Sequence, residues 1–375
     1  MIYENGKKAI LVLMDGTIYR GRGYGPTGVY QGEAVFATGM VGYPESMTDP
    51  SYHKQFLTFT YPLIGNYGVA DYEDGEHGIP PSFESDSIKT AGVIAHEICE
   101  NPSHWTSRKT FPQWLDEEGV PAMSGIDTRS LTKRLREYGT MPASLCVYDD
   151  EPDIQRIISK TKGIGNPTDD NLVKDVSTQF TRIYNESSKK AVVLLDCGAK
   201  YGIIRSLVNR GLKVIQARYD TPYDVLEEYS PKGLLISNGP GNPDKVDSIR
   251  ATINDAISSE LPVFGICMGN QLLALSRGAS TYKLPYGHRS QNQPCIELGT
   301  KRCYITSQNH GYVVDPDSLE GSDLDMWFIN ANDQSCEGLR SSKLSAFSVQ
   351  FHPEASPGPQ DTNYLFDSFI KMMGI

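Results

Sequence analysis

The segment at residues 261–271 constrains the fold of this chain more than any other feature. It reads Leu-Pro-Val-Phe-Gly-Ile-Cys-Met-Gly-Asn-Gln, an apolar run followed by the pattern Gly-x-Cys-x-Gly. Small residues two positions before and after a cysteine allow a buried strand to turn abruptly into a helix. The pattern therefore predicts a nucleophile elbow that exposes Cys267 at a helix N-terminus, where the helix dipole favours a thiolate. The alternative is a buried structural cysteine in a sharp turn.

Apolar runs alternate with helical patterns through the second half of the chain. After residue 190 these runs begin at residues 191, 212, 233 and 263. Because such alternation is typical of right-handed βαβ crossovers, it predicts an α/β domain built on a parallel sheet with both faces covered. Functional groups in such sheets gather at the carboxyl ends of the strands. Asn238, Gly239 and Cys267 are all predicted to lie there.

The first part of the chain is predicted to form a separate α+β domain. Residues 10–66 contain short apolar runs among Gly, Pro, Thr and Tyr, and Asp15-Gly16 between two runs predicts a β-hairpin. Further along, Asp127 is predicted to cap a helix that ends at Gly139. The predicted division is an N-terminal domain over residues 1–148, a linker rich in turn-forming and charged residues over 149–190, and the α/β domain over 191–375.

Composition narrows the function classes. With 375 residues the chain is long enough for two cores, and its formal net charge of -11 argues against a surface that binds nucleic-acid duplexes. No apolar run reaches about 18 residues, and the start of the chain resembles a first strand more than a signal peptide. We therefore predict a cytoplasmic protein with no membrane span. The seven cysteines include no Cys-x-x-Cys pair, so they predict neither a zinc ribbon nor a disulfide framework, and no metal site is assigned.

A cysteine nucleophile requires a base and a group that orients the base. His352 and Glu354 follow an apolar run and stand two residues apart, a spacing that can place both side chains on one side of an extended chain. His352 is therefore the predicted base and acid, and Glu354 the predicted group that fixes the imidazole tautomer. A surface histidine beside Pro353 is the alternative explanation of this motif.

Acyl transfer also needs hydrogen-bond donors for an oxyanion. The loop at residues 237–243 follows a predicted strand, and Gly239 lets a backbone N–H approach an acyl carbon closely. The second donor is predicted to be the backbone N–H of Met268. A simple Gly/Pro turn would also explain the loop. Residues 307–312 could present amide and aromatic groups to an amino acid, or they could form a polar turn.

Together these motifs resemble the class I, triad-type glutamine amidotransferases. Further segments are similar to the small, glutaminase subunit of carbamoyl-phosphate synthetase: Ser-Met-Thr-Asp-Pro-Ser-Tyr at 46–52, Thr-Tyr-Pro-Leu-Ile-Gly-Asn at 60–66, Gly-Ile-Asp-Thr-Arg at 125–129, Gln-Asn-His-Gly at 308–311 and His-Pro-Glu-Ala-Ser-Pro-Gly-Pro at 352–359. The similarity spans nearly the whole chain and includes the N-terminal domain, which other amidotransferases lack.

This resemblance implies that Cys267 attacks the side-chain amide of glutamine and forms a γ-glutamyl thioester, giving ammonia and then glutamate. His352 would act as general base and acid, and Glu354 would orient it. By motif position, glutamine would be held by Ser51, Gly239, Gly241, Met268, Gln271, Asn309, Gly311 and Tyr312. Among these, Ser51 would reach in from the first domain.

The resemblance also implies a partner. A large synthetase subunit would use the ammonia with bicarbonate and ATP to make carbamoyl phosphate for arginine and pyrimidine biosynthesis. No Gly-x-x-x-x-Gly-Lys-Ser/Thr run occurs in the chain, which agrees with ATP and Mg²⁺ being bound by the partner and with no cofactor in this chain. Because free ammonia becomes ammonium in bulk water, the two chains are expected to form a docked heterodimer with an internal route between their sites.

Two segments depart from the family pattern. Asn270 stands where family members commonly have histidine, and Gly-His-Arg-Ser-Gln-Asn-Gln-Pro at 287–294 differs from the usual glycine- and histidine-rich version. Neither departure removes a member of the triad. Two other functions stay open at this point: a stand-alone γ-glutamyl hydrolase that needs no partner, and a non-catalytic subunit that keeps the fold and only binds glutamine or the partner.

Overall fold

The computed structural model describes residues 6–73 and 75–375. Within these residues the chain divides into two compact units, the first formed by residues 6–73 and 81–169 and the second by residues 75–80 and 170–375. The first unit therefore continues past residue 148, into the segment predicted as a linker. Residues 75–80 belong to the second unit although they lie within the range predicted as the first domain.

A closed β-barrel forms the centre of the first unit. The strands of this unit are β1 (Lys8–Leu13), β2 (Ile18–Tyr24), β3 (Gly28–Ala37), β4 (Gln55–Phe59), β5 (Leu63–Ile64), β6 (Gly92–Ile94), β7 (Glu97–Ile98), β8 (Ala122–Ser124) and β9 (Met141–Tyr148). Its helices are α1 (Tyr43–Thr48), α2 (Phe111–Glu118), α3 (Thr128–Tyr138) and α4 (Ile154–Lys162). Seven of the described strands close in the order β1-β2-β8-β6-β4-β3-β9, and β5 pairs separately with β7.

Two local predictions are confirmed in the first unit. β1 and β2 form the predicted antiparallel hairpin. α3 begins after Asp127, whose side chain accepts a hydrogen bond from the backbone N–H of Ser130 at 2.8 Å, and Gly139 ends the helix with a φ of 89°. Leu131 and Leu135, four residues apart, are both fully buried, so they form the apolar face of the helix.

The helix α4 explains why the first unit extends into the predicted linker. It begins after Asp153, whose side chain accepts a hydrogen bond from the backbone N–H of Arg156 at 3.0 Å. Ile157 on this helix is buried in a cluster with Ile10 and Val12 of β1. Burial of this apolar side chain against the barrel holds the helix to the first unit.

One large sheet forms the second unit. Its strands are β10 (Arg182–Tyr184), β11 (Ala191–Asp196), β12 (Lys213–Arg218), β13 (Leu234–Ile236), β14 (Val263–Ile266), β15 (Thr281–Glu297), β16 (Cys303–Val314), β17 (Asp325–Asn330), β18 (Cys336–Arg340) and β19 (Ala346–Val349). Its helices are α5 (Val173–Val176), α6 (Tyr201–Val208), α7 (Tyr223–Glu227), α8 (Ser248–Ser258), α9 (Met268–Ser276) and α10 (Tyr364–Met372). Among the helices of the described residues, none combines the length and apolar character that a membrane crossing requires.

The four predicted parallel strands, together with β19, form the middle of this sheet. In the order β12, β11, β13, β14 and β19 they pair with their neighbours in parallel. Every residue of β11, β13 and β14 is buried, as expected for strands covered on both faces. Antiparallel strands that the sequence did not predict extend the sheet, with β10 on one side and β18, β17, β15 and β16 on the other.

Candidate active site

The predicted elbow joins β14 to α9. Cys267 stands between them as the N-cap residue of α9, with φ 55° and ψ -100°. A residue with a side chain seldom adopts such a backbone conformation, which persists only where the surrounding structure enforces it. The backbone N–H of Cys267 donates to the carbonyl oxygen of Val349 at 2.8 Å. The neighbouring strand β19 therefore helps to hold the strained turn.

The two glycines of the motif permit this turn for a steric reason. A Cβ added to Gly269 would lie 2.2 Å from the carbonyl oxygen of Ile236 in β13. A Cβ added to Gly265 would lie 2.5 Å from the carbonyl oxygen of Gly269. Both contacts are with backbone, which cannot move aside as a flexible side chain can. The absence of a side chain therefore brings strand and helix close enough to place Cys267 at their junction.

The thiol of Cys267 is buried, with 2% of the residue exposed, so the prediction of an exposed side chain is wrong. Two polar groups cover the sulfur. Sγ donates to the carbonyl oxygen of Asn309 at 3.7 Å, and it accepts a hydrogen bond from Nε2 of Gln350 at 3.6 Å. Asn309 lies in β16, and Gln350 directly follows β19. Residues distant in the sequence therefore cover the thiol of Cys267.

His352 and Glu354 contact each other directly. Nδ1 of His352 lies 2.6 Å from Oε1 of Glu354, and both residues are buried. Because an ionised carboxylate can only accept hydrogen bonds, Nδ1 carries a proton and Nε2 is left for another partner. Within the described residues, Nε2 makes no hydrogen bond. The backbone N–H of His352 donates to the carbonyl oxygen of Ser307 at 2.9 Å, which joins this segment to β16.

A buried lysine that the sequence did not indicate completes the cluster. Lys200, the residue before α6, places Nζ 3.2 Å from Oε1 of Glu354 and donates to the carbonyl oxygen of Ala355 at 2.5 Å. Its side chain is only 3% exposed. Its backbone N–H donates to Oδ1 of Asn238 at 3.0 Å, so the loop after β13 also holds it. Its place just after β11, at the carboxyl end of a parallel strand, is the signal that could have indicated it.

The carboxylate of Glu354 stabilises both positive charges of this cluster. Burial and the charge of Lys200 both oppose the charge of His352, but the Glu354 carboxylate outweighs them and raises the pKa of His352 to about 10. Burial also opposes the charge of Glu354, yet Lys200 and His352 together lower the pKa of this carboxyl to about 2. A charged imidazole therefore lies beside the thiol at neutral pH, which is the arrangement that favours a cysteine thiolate.

These two pKa shifts predict how stability depends on pH. The pKa of folded His352 lies above its ordinary value of 6.5, so protonation of this group stabilises the fold fully below pH 6.5 and progressively less as the pH rises toward 10. The pKa of Glu354 lies below its ordinary value of 4.5, so its charge stabilises the fold above pH 4.5 and ceases to do so as the pH falls toward 2.

The difference in free energy of unfolding between the wild type and His352→Asn should therefore be largest at about pH 5 to 6.5. This difference should shrink as the pH rises toward 10. Urea denaturation of both proteins at a series of pH values measures this difference. A difference that stays constant, or that grows as the pH rises, would contradict a raised pKa of His352.

The structure brings several predicted glutamine contacts close to the thiol. Asn309 contacts the sulfur of Cys267 through its carbonyl oxygen. Gln271, one turn along α9, donates from Nε2 to the carbonyl oxygen of Tyr312 at 2.7 Å. Met268 is the first residue of α9, so its backbone N–H lies at the N-terminus of the helix. One end of α9 and the strand β16 therefore meet around Cys267.

The other predicted contacts occupy three further places. Gly239 and Gly241 follow β13: a Cβ on Gly239 would lie 2.2 Å from the carbonyl oxygen of Cys197, and Gly241 has a φ of 87°. Gly311 lies in β16. Ser51 belongs to the first unit, where it is buried in a short 3-10 turn. The roles of these residues in binding glutamine stay predictions.

One buried cluster beside β16 offers the atoms of a metal site. The ligand atoms of His288, His310 and Glu337 lie within 4.8 Å of one another. Burial opposes the charge of His288, but Asp333 and Glu337 outweigh it and raise the pKa of this imidazole to about 9. Both ring nitrogens of His288 already face carboxylates, with Nε2 2.8 Å from Asp333 and Nδ1 3.3 Å from Glu337. The cluster therefore fits a buried ion-pair network better than a metal centre.

Two family models match this chain, one in each unit. The model described as carbamoyl-phosphate synthase small chain, CPSase domain, matches residues 11–145. The model described as glutamine amidotransferase class-I matches residues 193–372. The second match includes Cys267, His352 and Glu354.

Individual relatives match over nearly the whole chain. It is 42% identical over 371 residues to the carbamoyl phosphate synthase small chain of Pyrococcus furiosus, covering 98% of each chain. It is 45% identical over 367 residues to that of Staphylococcus epidermidis, covering 98% of this chain and 96% of the other. It is 47% identical over 369 residues to the multifunctional protein CAD of Squalus acanthias, covering 97% of this chain but only 16% of that protein. Since the similarity extends through both units, the chain belongs to the carbamoyl-phosphate synthase small chain family, and its second unit is a class-I glutamine amidotransferase domain.

Proposed function

We propose that this chain is the glutaminase subunit of a carbamoyl-phosphate synthase, with Cys267 as its nucleophile. The observation that carries the proposal is the buried cluster in which Glu354 contacts both Lys200 and Nδ1 of His352, next to the thiol at the start of α9. A subunit that only bound glutamine would have no use for a charged imidazole beside a buried thiol. The cluster instead supports covalent catalysis by cysteine.

The first half of the reaction releases ammonia. Nε2 of His352 is already protonated, so the sulfur of Cys267 reacts as a thiolate and attacks the carboxamide carbon of glutamine. The negative charge that develops on the amide oxygen is stabilised by the backbone N–H groups of Gly239 and Met268. His352 then gives its proton to the amide nitrogen, the carbon–nitrogen bond breaks, and ammonia leaves while the γ-glutamyl group stays on the sulfur.

The second half of the reaction releases glutamate. A water molecule attacks the thioester carbon as Nε2 of His352 takes one of its protons. The carbon–sulfur bond breaks, the sulfur leaves as a thiolate beside the imidazolium, and glutamate departs. Throughout both halves the contact of Glu354 with Nδ1 keeps the imidazole in one tautomer and stabilises its charged form.

The ammonia is used by a second chain in this proposal. The name small chain in the relatives implies a large synthetase subunit, which would bind ATP and Mg²⁺ and would convert bicarbonate and ammonia to carbamoyl phosphate for arginine and pyrimidine biosynthesis. Ammonia is mostly protonated in neutral water, and ammonium is not a nucleophile. Transfer inside a docked heterodimer would keep the ammonia reactive.

A cytoplasmic location belongs to the same proposal. All seven cysteines are free thiols, including the exposed Cys303. Free thiols are the usual state of cysteine in the reducing interior of the cell, whereas secreted proteins tend to form disulfides. The free cysteines therefore support synthesis and action inside the cell.

The proposal is tested by mixing the purified chain with a large carbamoyl-phosphate synthetase subunit from the same source. We expect the two chains to co-elute on size exclusion and to make carbamoyl phosphate from glutamine, bicarbonate and ATP. Glutamate release should also rise by roughly tenfold or more on docking, because assembly aligns catalytic groups in many enzymes. A γ-glutamyl hydrolase would release glutamate at one rate with or without the partner, and a non-catalytic subunit would release none; either result would refute the proposal.

A further inference from the structure

Gln350 connects the two segments that carry the cysteine and the histidine, although no role has been assigned to it. It follows β19 and stands two residues before His352, and it is fully buried. Its amide nitrogen Nε2 donates to Sγ of Cys267 at 3.6 Å. Its backbone N–H donates to the carbonyl oxygen of Glu337 at 2.9 Å, which fixes the residue to β18. An uncharged amide on the segment that carries the base therefore touches the nucleophile.

The orientation of this amide follows from its neighbours. The carbonyl oxygen of Tyr312 can only accept a hydrogen bond, so the side-chain atom of Gln271 that faces it is the amide nitrogen Nε2. This nitrogen carries a second hydrogen, which is available for another acceptor. Oε1 of Gln350 accepts from this nitrogen at 3.1 Å and from Nδ2 of Asn270 at 3.2 Å. Exchanging the oxygen and nitrogen of Gln350 would turn a donor toward these two donors. The amide nitrogen of Gln350 must therefore face the sulfur.

We infer that Gln350 is a positioning residue that stabilises the thiolate of Cys267 and couples it to Gln271. The inference rests on the proposed function, in which Gln271 contacts the substrate glutamine. A hydrogen-bond donor stabilises a thiolate more than a thiol, because the anion is the stronger acceptor. His352 loses its proton when ammonia leaves, whereas the amide of Gln350 stays a donor through both halves of the reaction. Gln350 therefore also stabilises the sulfur when it departs from the thioester.

The same network accounts for the unusual residue at position 270. Asn270 donates to Gln350 from Nδ2 and accepts a hydrogen bond from Oγ of Ser348 at 2.8 Å through Oδ1. A neutral imidazole also offers one donor and one acceptor nitrogen. Asparagine in place of the usual histidine therefore keeps both connections, and the orientation of Gln350 is preserved.

The variant Gln350→Met tests this role, because methionine has a similar volume and no donor. The rate at which iodoacetamide alkylates Cys267, followed by mass spectrometry of its peptide as a function of pH, reports the thiolate without any substrate. We expect the midpoint of this profile to rise by about one pH unit, and kcat for glutamate release to fall by about 10- to 100-fold with a smaller change in KM. Gln350→Glu, which places a negative charge beside the sulfur, should raise the midpoint further.

Thr252→Val provides the matched control in the same unit. It removes a partly buried hydrogen bond from Oγ1 of Thr252, on the helix α8, to the carbonyl oxygen of Thr221 at 3.1 Å. Its alkylation profile and kcat should equal those of the wild type. An unchanged midpoint in both Gln350 variants, or an equal shift in Thr252→Val, would overturn the inference. A shifted midpoint in a protein whose wild type releases no glutamate would support the inference and refute the proposed function.

Discussion

Replacing Cys267 with alanine should lower the rate of glutamate release by at least about 10⁴-fold, because the sulfur that would carry the γ-glutamyl group is gone. Alanine keeps the Cβ that the elbow already accommodates at a φ of 55°, so the junction of β14 and α9 should be preserved. The measurement is steady-state release of glutamate from glutamine by wild-type and Cys267→Ala protein, each alone and with the large subunit.

The control for this experiment is Cys146→Ala. Cys146 is equally buried but lies in β9 of the first unit, so its removal should cost about 1 kcal/mol of stability and leave glutamate release unchanged. With ammonia supplied in place of glutamine, the complex that contains Cys267→Ala should still make carbamoyl phosphate. Glutamate release that survives in Cys267→Ala would mean that another group is the nucleophile. Loss of the ammonia-dependent reaction would mean that this substitution acts on the complex rather than on the thioester.

Features whose physical cause lies within a few consecutive residues could be predicted from the sequence. The elbow is one, because the close approach of β14 and α9 depends on Gly265 and Gly269, each two residues from Cys267. The cap of α3 is another, because Asp127 accepts its hydrogen bond from an N–H three residues along the chain. All the residues that cause such a feature are neighbours in the sequence, so the sequence alone predicts it.

The assembly of the catalytic cluster depends on pairing between distant strands. His352 follows β19, and Cys267 follows β14, and these strands lie side by side because Ile266 pairs with Val349. No periodicity or spacing in either segment predicts that pairing. The need of a cysteine nucleophile for a base predicted that the two motifs act together, and their similarity to a known family supported this, while a surface histidine and a structural cysteine stayed as alternatives.

The contacts of Lys200 and Gln350 could not be predicted from the sequence for the same reason. Lysine is usually exposed, and the residues before Lys200 form a glycine turn with no sign of a buried charge. Its partner carboxylate, Glu354, arrives from the last part of the sheet. Gln350 is one polar residue at the end of a strand, and its significance appears only when its amide is found between Cys267 and Gln271.

The antiparallel strands in the sheet of the second unit lack the apolar runs that predicted the parallel strands. β15 and β16 are long, partly exposed and rich in polar residues, and their pairing shifts register between Lys283 and His288 and again between Ser290 and Gln293. These irregularities break the alternation of apolar and polar residues that predicts a strand. The same strand β16 supplies Asn309 to the site, so the least predictable strands carry part of the candidate substrate pocket.

Replacing Lys200 with methionine should lower the free energy of unfolding by about 3 kcal/mol, because it removes one partner of a buried ion pair and leaves the other charge in place. The side chains of Lys200 and Glu354 are 3% and 0% exposed, so water cannot compensate for the loss. Lys200 also lowers the pKa of His352, so without it the imidazolium becomes a weaker acid toward the leaving amine. We therefore expect kcat for glutamate release to fall as well.

Lys343→Met is the control for Lys200→Met, because it removes a lysine that is also paired with a carboxylate but is exposed rather than buried. Nζ of Lys343 lies 2.6 Å from Oδ1 of Asp323, but its side chain is 72% exposed. Because water screens exposed pairs, this variant should keep nearly all of its stability and its wild-type activity. Urea denaturation gives the free energies, and kcat as a function of pH gives the acidity of His352. If Lys200→Met and Lys343→Met lost equal amounts of unfolding free energy, the charge of Glu354 would depend on His352 alone. Lys200 would then contribute no more to stability than a surface lysine does.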